Sequence, residues 1–204
     1  MTSAQVISLI QRHALRIFTT GDFRTLSGLG DAAATMYLSR LALDGLVVRI
    51  KRGVWVNKLV VDLNPYEAVS YLRAPWPAYV SLYSALSDYG VLEEIPHAIY
   101  GVSSAGTEKY STAIGEFRIH HLPDHLMWGS ETKQSGNGTY LNADREKAFL
   151  DLAYLGLTRR SPLELPHKRG RVWELDRARL TSYARRFEFP ALESWLKKNR
   201  LWLA

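Results

Sequence analysis

The densest cluster of side chains able to bind a metal or carry a proton is His120-His121-x-x-Asp124-His125. On a continuous helix His121 and His125 would stand one turn apart with Asp124 adding an oxygen donor, a spacing that suits a metal ion. Pro123 lies between the two histidines and opposes such a helix, so the expectation is a strand-end histidine pair making ordinary hydrogen bonds, with no metal. The 204 residues include no cysteine, which removes thiol nucleophiles, redox couples, disulfides and every zinc site that needs sulfur. No Gly-x-Ser-x-Gly elbow and no phosphate-cradling Gly-x-x-x-x-Gly-Lys loop occur. Gly28-x-Gly30-x-x-Ala33 meets the loosest form of a dinucleotide fingerprint. The segment before it reads as a capped helix rather than a strand, and no run of alternating strands and helices follows to build the parallel sheet that such a site needs. No catalysis and no cofactor are expected.

A second kind of chemistry, cations against a polyanion, is better supplied. Lys and Arg number 26 against 20 Asp and Glu, a net charge of +6, which favours a polyanionic partner. The charge is uneven. Residues 1–62 hold eight basic and four acidic side chains, residues 63–157 six and eleven, and residues 158–204 twelve and five. Basic ends therefore flank an acidic middle.

The N-terminal third has an order of elements that would put its cations to use. Val6, Leu9, Ile10, Ala14 and Ile17 recur at helical spacing and predict a first helix over roughly residues 4–16. Thr19-Thr20-Gly21-Asp22 has the form of a capping box and opens a second, short helix through Phe23 and Leu26. Gly28-Leu29-Gly30 makes a turn, Asp31 is read as the N-cap of a third helix running to about Leu43, and Asp44-Gly45 closes it. On that helix Ala34, Leu38 and Leu41 share one face, while Ala32, Met36, Ser39 and Arg40 look away with Thr35 at the side. Leu46–Ile50 and Val54–Val56 then read as two strands joined at Lys51-Arg52-Gly53.

Helix, helix, turn, helix and β-hairpin form the order of a winged helix-turn-helix. In that reading Thr35, Met36, Ser39 and Arg40 face the major groove of double-stranded DNA, and Arg49, Lys51 and Arg52 meet phosphates. Winged helices also serve as protein-docking modules, and that use stays open.

Beyond residue 62 the pattern is mixed. Asn64-Pro65-Tyr66-Glu67 is a helix start, and Pro75-Trp76-Pro77 ends that helix. A second helix is expected to carry Val80, Tyr83, Ser84, Ala85 and Leu86 up to Gly90. Ala98–Ser103 and Ala113–His121 are β-rich and expected to pair across a Gly/Ser/Thr-rich connection. Ser130–Thr139 reads as a mobile loop, Asn142 as the cap of a helix through Leu155, Glu164–Arg171 as a basic loop, and Asp176 and Pro190 as the starts of two last helices. The basic cluster of residues 158–200, with Arg185, Arg186, Lys197 and Lys198, could be a second nucleic-acid surface, a docking face for an acidic partner, or a solvated pair of helices. The predicted class is α+β: a winged helix-turn-helix over residues 1–62, then a mixed α/β C-terminal domain over residues 63–204. Met1–Ile10 lacks the basic and apolar pattern of an export signal, and no run of about 18 apolar residues occurs. A cytoplasmic protein without membrane contact is expected.

Five stretches carry a resemblance: Phe18-Thr19-Thr20-x-Asp22-Phe23, Leu38-Ser39-Arg40-Leu41-x-x-x-Gly45-Leu46-Val47, Arg49-x-x-Arg52-Gly53-Val54-Trp55, Ser81-x-x-Ser84-Ala85-Leu86-x-x-x-Gly90, and Arg145-Glu146-Lys147-Ala148-Phe149-Leu150-Asp151-Leu152. In that order, over roughly residues 5–185, the chain resembles the AbiEi-type antitoxins of type IV toxin-antitoxin systems, a phage-defence setting. The third helix departs from the pattern in carrying Ala32, Ala33, Thr35 and Met36 where relatives often have arginines, and Trp55 stands where Tyr is usual. The resemblance implies a winged helix that binds promoter DNA and represses its own operon. It also implies a C-terminal antitoxin domain that counters a nucleotidyltransferase-like toxin without a stable complex, for which Arg185, Arg186, Lys197 and Lys198 are the candidate surface. A winged-helix regulator whose second domain senses a ligand or a protein, with no toxin partner, is the alternative.

Overall fold

The computed structural model describes residues 2–92, 95–158, 162–166 and 173–203. The fold is α+β, with eight α-helices and two sheets among these residues. Among the described residues no helix is long and apolar enough to cross a membrane.

The chain opens with α1 (Ser3–Arg12), β1 (Ile17–Thr19), α2 (Thr20–Ser27), α3 (Asp31–Leu43), β2 (Val47–Lys51) and β3 (Val54–Asn57). α1 starts on a Thr2/Gln5 capping box and stops four residues short of the predicted end. Ala14 takes a positive φ of 47°, and the chain turns there. Ile17 then pairs with Val56 in β1, a strand too short for any alternation to show in the sequence. The capping box at the start of α2 forms as its residues predict: Asp22 N–H donates to Thr19 Oγ1 at 3.0 Å and Thr19 N–H to Asp22 Oδ2 at 2.7 Å. Gly28 closes α2 in the left-handed conformation, φ +70°, where a Cβ is strained. Gly30 rather than Asp31 is the N-cap of α3, and Asp31 stands in its first turn, where the helix dipole favours a carboxylate. β1, β3 and β2 form an antiparallel three-stranded sheet in that order.

The remainder carries one six-stranded sheet, ordered β6-β7-β5-β4-β9-β8. Asn64 caps a 3-10 turn at Pro65–Glu67 that runs into α4 (Ala68–Arg73), as the Asn-Pro-x-Glu pattern predicts. Val80 lies in β4 (Ala78–Val80), not in a helix; only α5 (Leu82–Asp88) is helical in that stretch. β4 pairs with strands on both sides and all three of its residues are buried, and such a continuously apolar strand cannot be told from buried helix by periodicity. β5 (Ile99–Ser103) and β7 (Gly115–His121) pair in parallel, and the connection between them contains β6 (Glu108–Thr112), antiparallel to β7. The predicted loop at Ser130–Thr139 is instead the larger part of a hairpin, β8 (Ser130–Ser135) with β9 (Gly138–Ala143). Its edge strand β8 is polar and has no buried residue, so it carries little hydrophobic signal.

Asn142 belongs to β9, and the N-cap of α6 (Arg145–Leu157) is Asp144, whose carboxylate accepts from Lys147 N–H at 2.9 Å. α7 (Arg177–Arg185), capped by Asp176, and α8 (Pro190–Lys198), with proline at its first position, begin where the sequence places them. Of the predicted basic loop Glu164–Arg171, residues 167–171 lie outside the described residues.

Three apolar clusters hold the molecule. One lies between α1, α2, α3 and one side of the small sheet, around Phe18, Phe23, Leu38 and Trp55. A second joins Ile17, Ile50, Val54 and Val56 on the other side of that sheet to Val69, Leu72, Val80, Phe117 and Ile119. The third packs α5, α6, α7 and α8 around Leu82, Phe149 and Leu152. The middle cluster crosses residue 62, so the small sheet is buried on both faces.

Candidate nucleic-acid interface

α3 turns Ala34, Leu38 and Leu41 into the first cluster, which leaves Ala32, Thr35, Met36, Ser39 and Arg40 exposed. The four predicted groove-facing side chains thus come together on one free surface, with Met36 59% exposed. Arg24 of α2 reaches Asp31 at 2.7 Å and offsets the one carboxylate at that end of the face.

The hairpin sorts its cations by side. Residues directly opposite in an antiparallel pair project to the same face. Val47 and Trp55 lie in the helix-side cluster, and Val48 and Val56 pack at the opposite one. Arg49, opposite Trp55, therefore lies on the helix side, and it is exposed. Between Arg49 and Lys51 the register slips by one residue. This bulge gives Ile50 and Lys51 the same side, away from the helices.

Ile50 joins the second cluster, and Lys51 Nζ donates to the Leu72 carbonyl at 2.8 Å and sits 5.9 Å from the Tyr110 ring centroid. Lys51 is thereby committed to the C-terminal part of the chain. Arg52, at the turn with Gly53 (φ +76°), remains exposed. Trp55 Nε1–H donates to Thr20 Oγ1 at 2.9 Å and Thr20 N–H to Gly53 O at 2.9 Å, so the hairpin is tied to the start of α2. The indole N–H is the donor of this bond at the position where Trp stands.

A guanidinium outside the predicted set fixes the interface relative to the rest. Arg16, between α1 and β1, donates from Nε and Nη2 to the two Glu67 carboxylate oxygens at 2.8 Å each. It also donates from Nη1 to Asp62 Oδ1 at 2.7 Å and from Nη2 to Asp62 O at 2.8 Å. Asp62 Oδ2 in turn accepts Asn137 N–H at 2.9 Å, at the tip of the β8–β9 hairpin. The Arg16 guanidinium and that amide hold the Asp62 carboxyl below the usual carboxylate range. Gly138 lies against the Glu67 carboxylate so closely that a Cβ there would overlap it. Sequence patterning could not identify this cluster, because its hydrogen-bonded partners are 46 to 75 residues apart in the chain.

The C-terminal cations are distributed over two aromatic rings. Arg185 and Lys197 stand 5.7 and 4.9 Å from the Trp202 ring, and Arg186 stacks 3.7 Å from that of Trp128. Lys197 also reaches Glu193 at 3.6 Å. Lys198 is exposed at the end of α8. Beneath Trp128 lies a fully buried pair, Lys147 and Asp151, four residues apart on α6, with Ser81 Oγ donating to Asp151 at 2.8 Å and Lys147 Nζ to Tyr79 Oη at 2.9 Å. Burial pushes the Lys147 ammonium down and the Asp151 carboxyl up, and each partner opposes the other's shift. The i,i+4 spacing was visible in the sequence as an ordinary helix ion pair; its burial was not.

The histidines do not converge. His120 is buried in β7 and stacked on Tyr100, and burial, with Arg118 and Lys109 nearby, lowers its pKa to about 4. His121 projects to the other side, its Nδ1 3.1 Å from Ser104 O, and His125 is exposed in a separate 3-10 turn. No group of three or more His, Cys, Asp or Glu side chains is placed to hold a metal among the described residues. A cleft of about 930 Å³ opens between the starts of α6 and α7, lined by Tyr89, Asp144, Arg145, Glu146, Trp173 and Arg179 among others. Across it Asp176 N–H donates to Glu146 Oε1 at 2.9 Å.

Residues 4–58, from α1 through the end of β3, match the family model described as transcriptional regulator, AbiEi antitoxin. No curated protein matches the chain.

Proposed function

With an N-terminal segment of the kind found in AbiEi antitoxin transcriptional regulators, we propose that this chain binds the promoter duplex of its own operon as an autorepressor. In the same reading it acts as the antitoxin to a nucleotidyltransferase-like toxin. The observation that carries the DNA-binding part is the free face of α3, Thr35, Met36, Ser39 and Arg40, with exposed Arg49 on the same side of the hairpin and Arg52 at its turn. Groove-facing polar and methyl groups flanked by phosphate-reaching cations are the parts a winged helix uses on duplex DNA. The antitoxin surface is assigned to Arg185, Arg186, Lys197 and Lys198, which supply exposed charge on α7 and α8. No cofactor and no catalytic group belong to this reading, and the toxin is countered without a stable complex.

Mobility-shift titration of the full chain on the duplex upstream of its own gene tests the first half. Binding that weakens steeply with salt is expected, since contacted phosphates release counterions; affinity that does not change from low to physiological salt would sink it. Rescue of cells carrying the neighbouring toxin gene on a separate plasmid tests the second half. The cleft between α6 and α7 favours one other reading, in which the C-terminal part senses a small ligand and no toxin is involved. The absence of a nucleotidyltransferase-like reading frame beside the gene would select it.

A further inference from the structure

On the premise that the winged helix binds duplex DNA, we propose that α3 reads the 5-methyl groups of thymines in the major groove. Its site is then a duplex that places two or three thymines under Ala32, Thr35 and Met36.

Over its first two turns the exposed face of α3 offers the methyl of Ala32, the γ-methyl and hydroxyl of Thr35 and the thioether of Met36. Met36 leaves 59% of its surface in water. The one ionised group there, Asp31, is engaged by Arg24 at 2.7 Å. Arg40, with its five N–H donors, comes only in the third turn. A recognition helix meets base edges chiefly with its N-terminal residues. In the major groove thymine alone among the four bases carries a methyl, and Ala, the Thr methyl and other apolar side chains contact it.

Met36 keeps more than half of its surface in water, and a thymine methyl would cover part of it. The cations border this apolar patch: Arg24 is engaged with Asp31 at its start, Arg40 lies one helical turn beyond Met36, and Arg49 and Arg52 are on the hairpin. This division leaves phosphate attraction to the flanks and discrimination to methyl contacts, with Arg40 placed to read a guanine at the border of the site.

The test begins with selection of bound duplexes from a randomised pool by the full chain. Each thymine of the selected site is then replaced in turn by deoxyuridine, which keeps base pairing and removes only the methyl. Adjacent thymines should emerge from the selection, and each lost methyl should weaken binding about fourfold. Replacing a thymine by cytosine should weaken binding more, and 5-methylcytosine should recover part of that loss. Met36→Ala, at a surface position, should abolish the uridine effect at one position and leave it at the others.

A selected site that binds equally well with uridine throughout, or binding with no sequence preference, overturns the methyl readout while leaving duplex binding intact. Failure to bind any duplex at low salt overturns the reading on which it rests.

Discussion

Lys51 and Arg52 are neighbours in the sequence and opposites in the structure. Lys51 hands its ammonium to the Leu72 carbonyl and the Tyr110 ring, while Arg52 stays in solvent. Arg52→Ala is therefore expected to lower duplex affinity on every sequence and to reduce the slope of log affinity against log salt by about one. Lys51→Met is expected to leave that slope unchanged and to cost about 1 kcal/mol of stability, the worth of a hydrogen bond from a charged donor that is partly exposed. Salt titrations and urea melts of the two variants separate the effects.

His120 makes a second residue-level prediction. Its native pKa is lowered to about 4, below the value near 6.5 expected when unfolded. Its contribution to stability is complete above pH 6.5 and is lost as pH falls toward 4, when the unfolded chain takes up the proton that the native state refuses. The difference in unfolding free energy between the wild type and His120→Phe should change by about 3 kcal/mol across that window and be flat above it.

Among the elements, the β8–β9 hairpin does more than end the sheet, because its tip seats on the Arg16, Asp62 and Glu67 cluster that receives the start of β1. Arg16→Met would leave the buried Glu67 carboxylate without its cation, at a cost of about 3 kcal/mol. Gly138→Ala would drive a methyl into the same carboxylate, and it is expected to destabilise the chain to a comparable degree. Both variants should become more open to limited proteolysis between residues 57 and 64, where the linker depends on Asp62 and Asn64 for its anchorage. Unchanged protease sensitivity in Arg16→Met would show that the middle apolar cluster alone holds the two parts together.

At the scale of the whole molecule, the promoter binding and toxin neutralisation proposed above are expected to be separable. The charge pattern splits the chain near residue 62, yet Ile17, Ile50, Val54 and Val56 bury their side chains against α4, β4 and β7. A fragment of residues 1–62 would expose that apolar face and is expected to be poorly soluble, so separation is better tested in the full chain. Arg49→Ala/Arg52→Ala, which touches neither cluster nor clamp, should derepress the promoter and still rescue cells that express the toxin from an independent promoter. Rescue lost by this variant, at equal abundance and with an unchanged melting temperature, would show that the two activities are one.

What the sequence determined by itself is what short-range physics decides. Capping at Thr19 and Asp22, closure at Gly28 and Gly45, the buried stripe of α3 and the starts of α7 and α8 each depend on residues within one or two turns. The exposed face of α3 followed from the same periodicity, and so did the order of elements that makes a winged helix. Long-range pairing settled the rest. β1 is three residues long and exists because β3 lies beside it. Val80 is in a strand because β5 and β9 flank it, and the polar stretch from Ser130 becomes a hairpin because β4 offers β9 an edge. The division of labour between Lys51 and Arg52 turned on a one-residue bulge. A change of register by one residue reverses which face a side chain takes, and no local preference in the sequence records it.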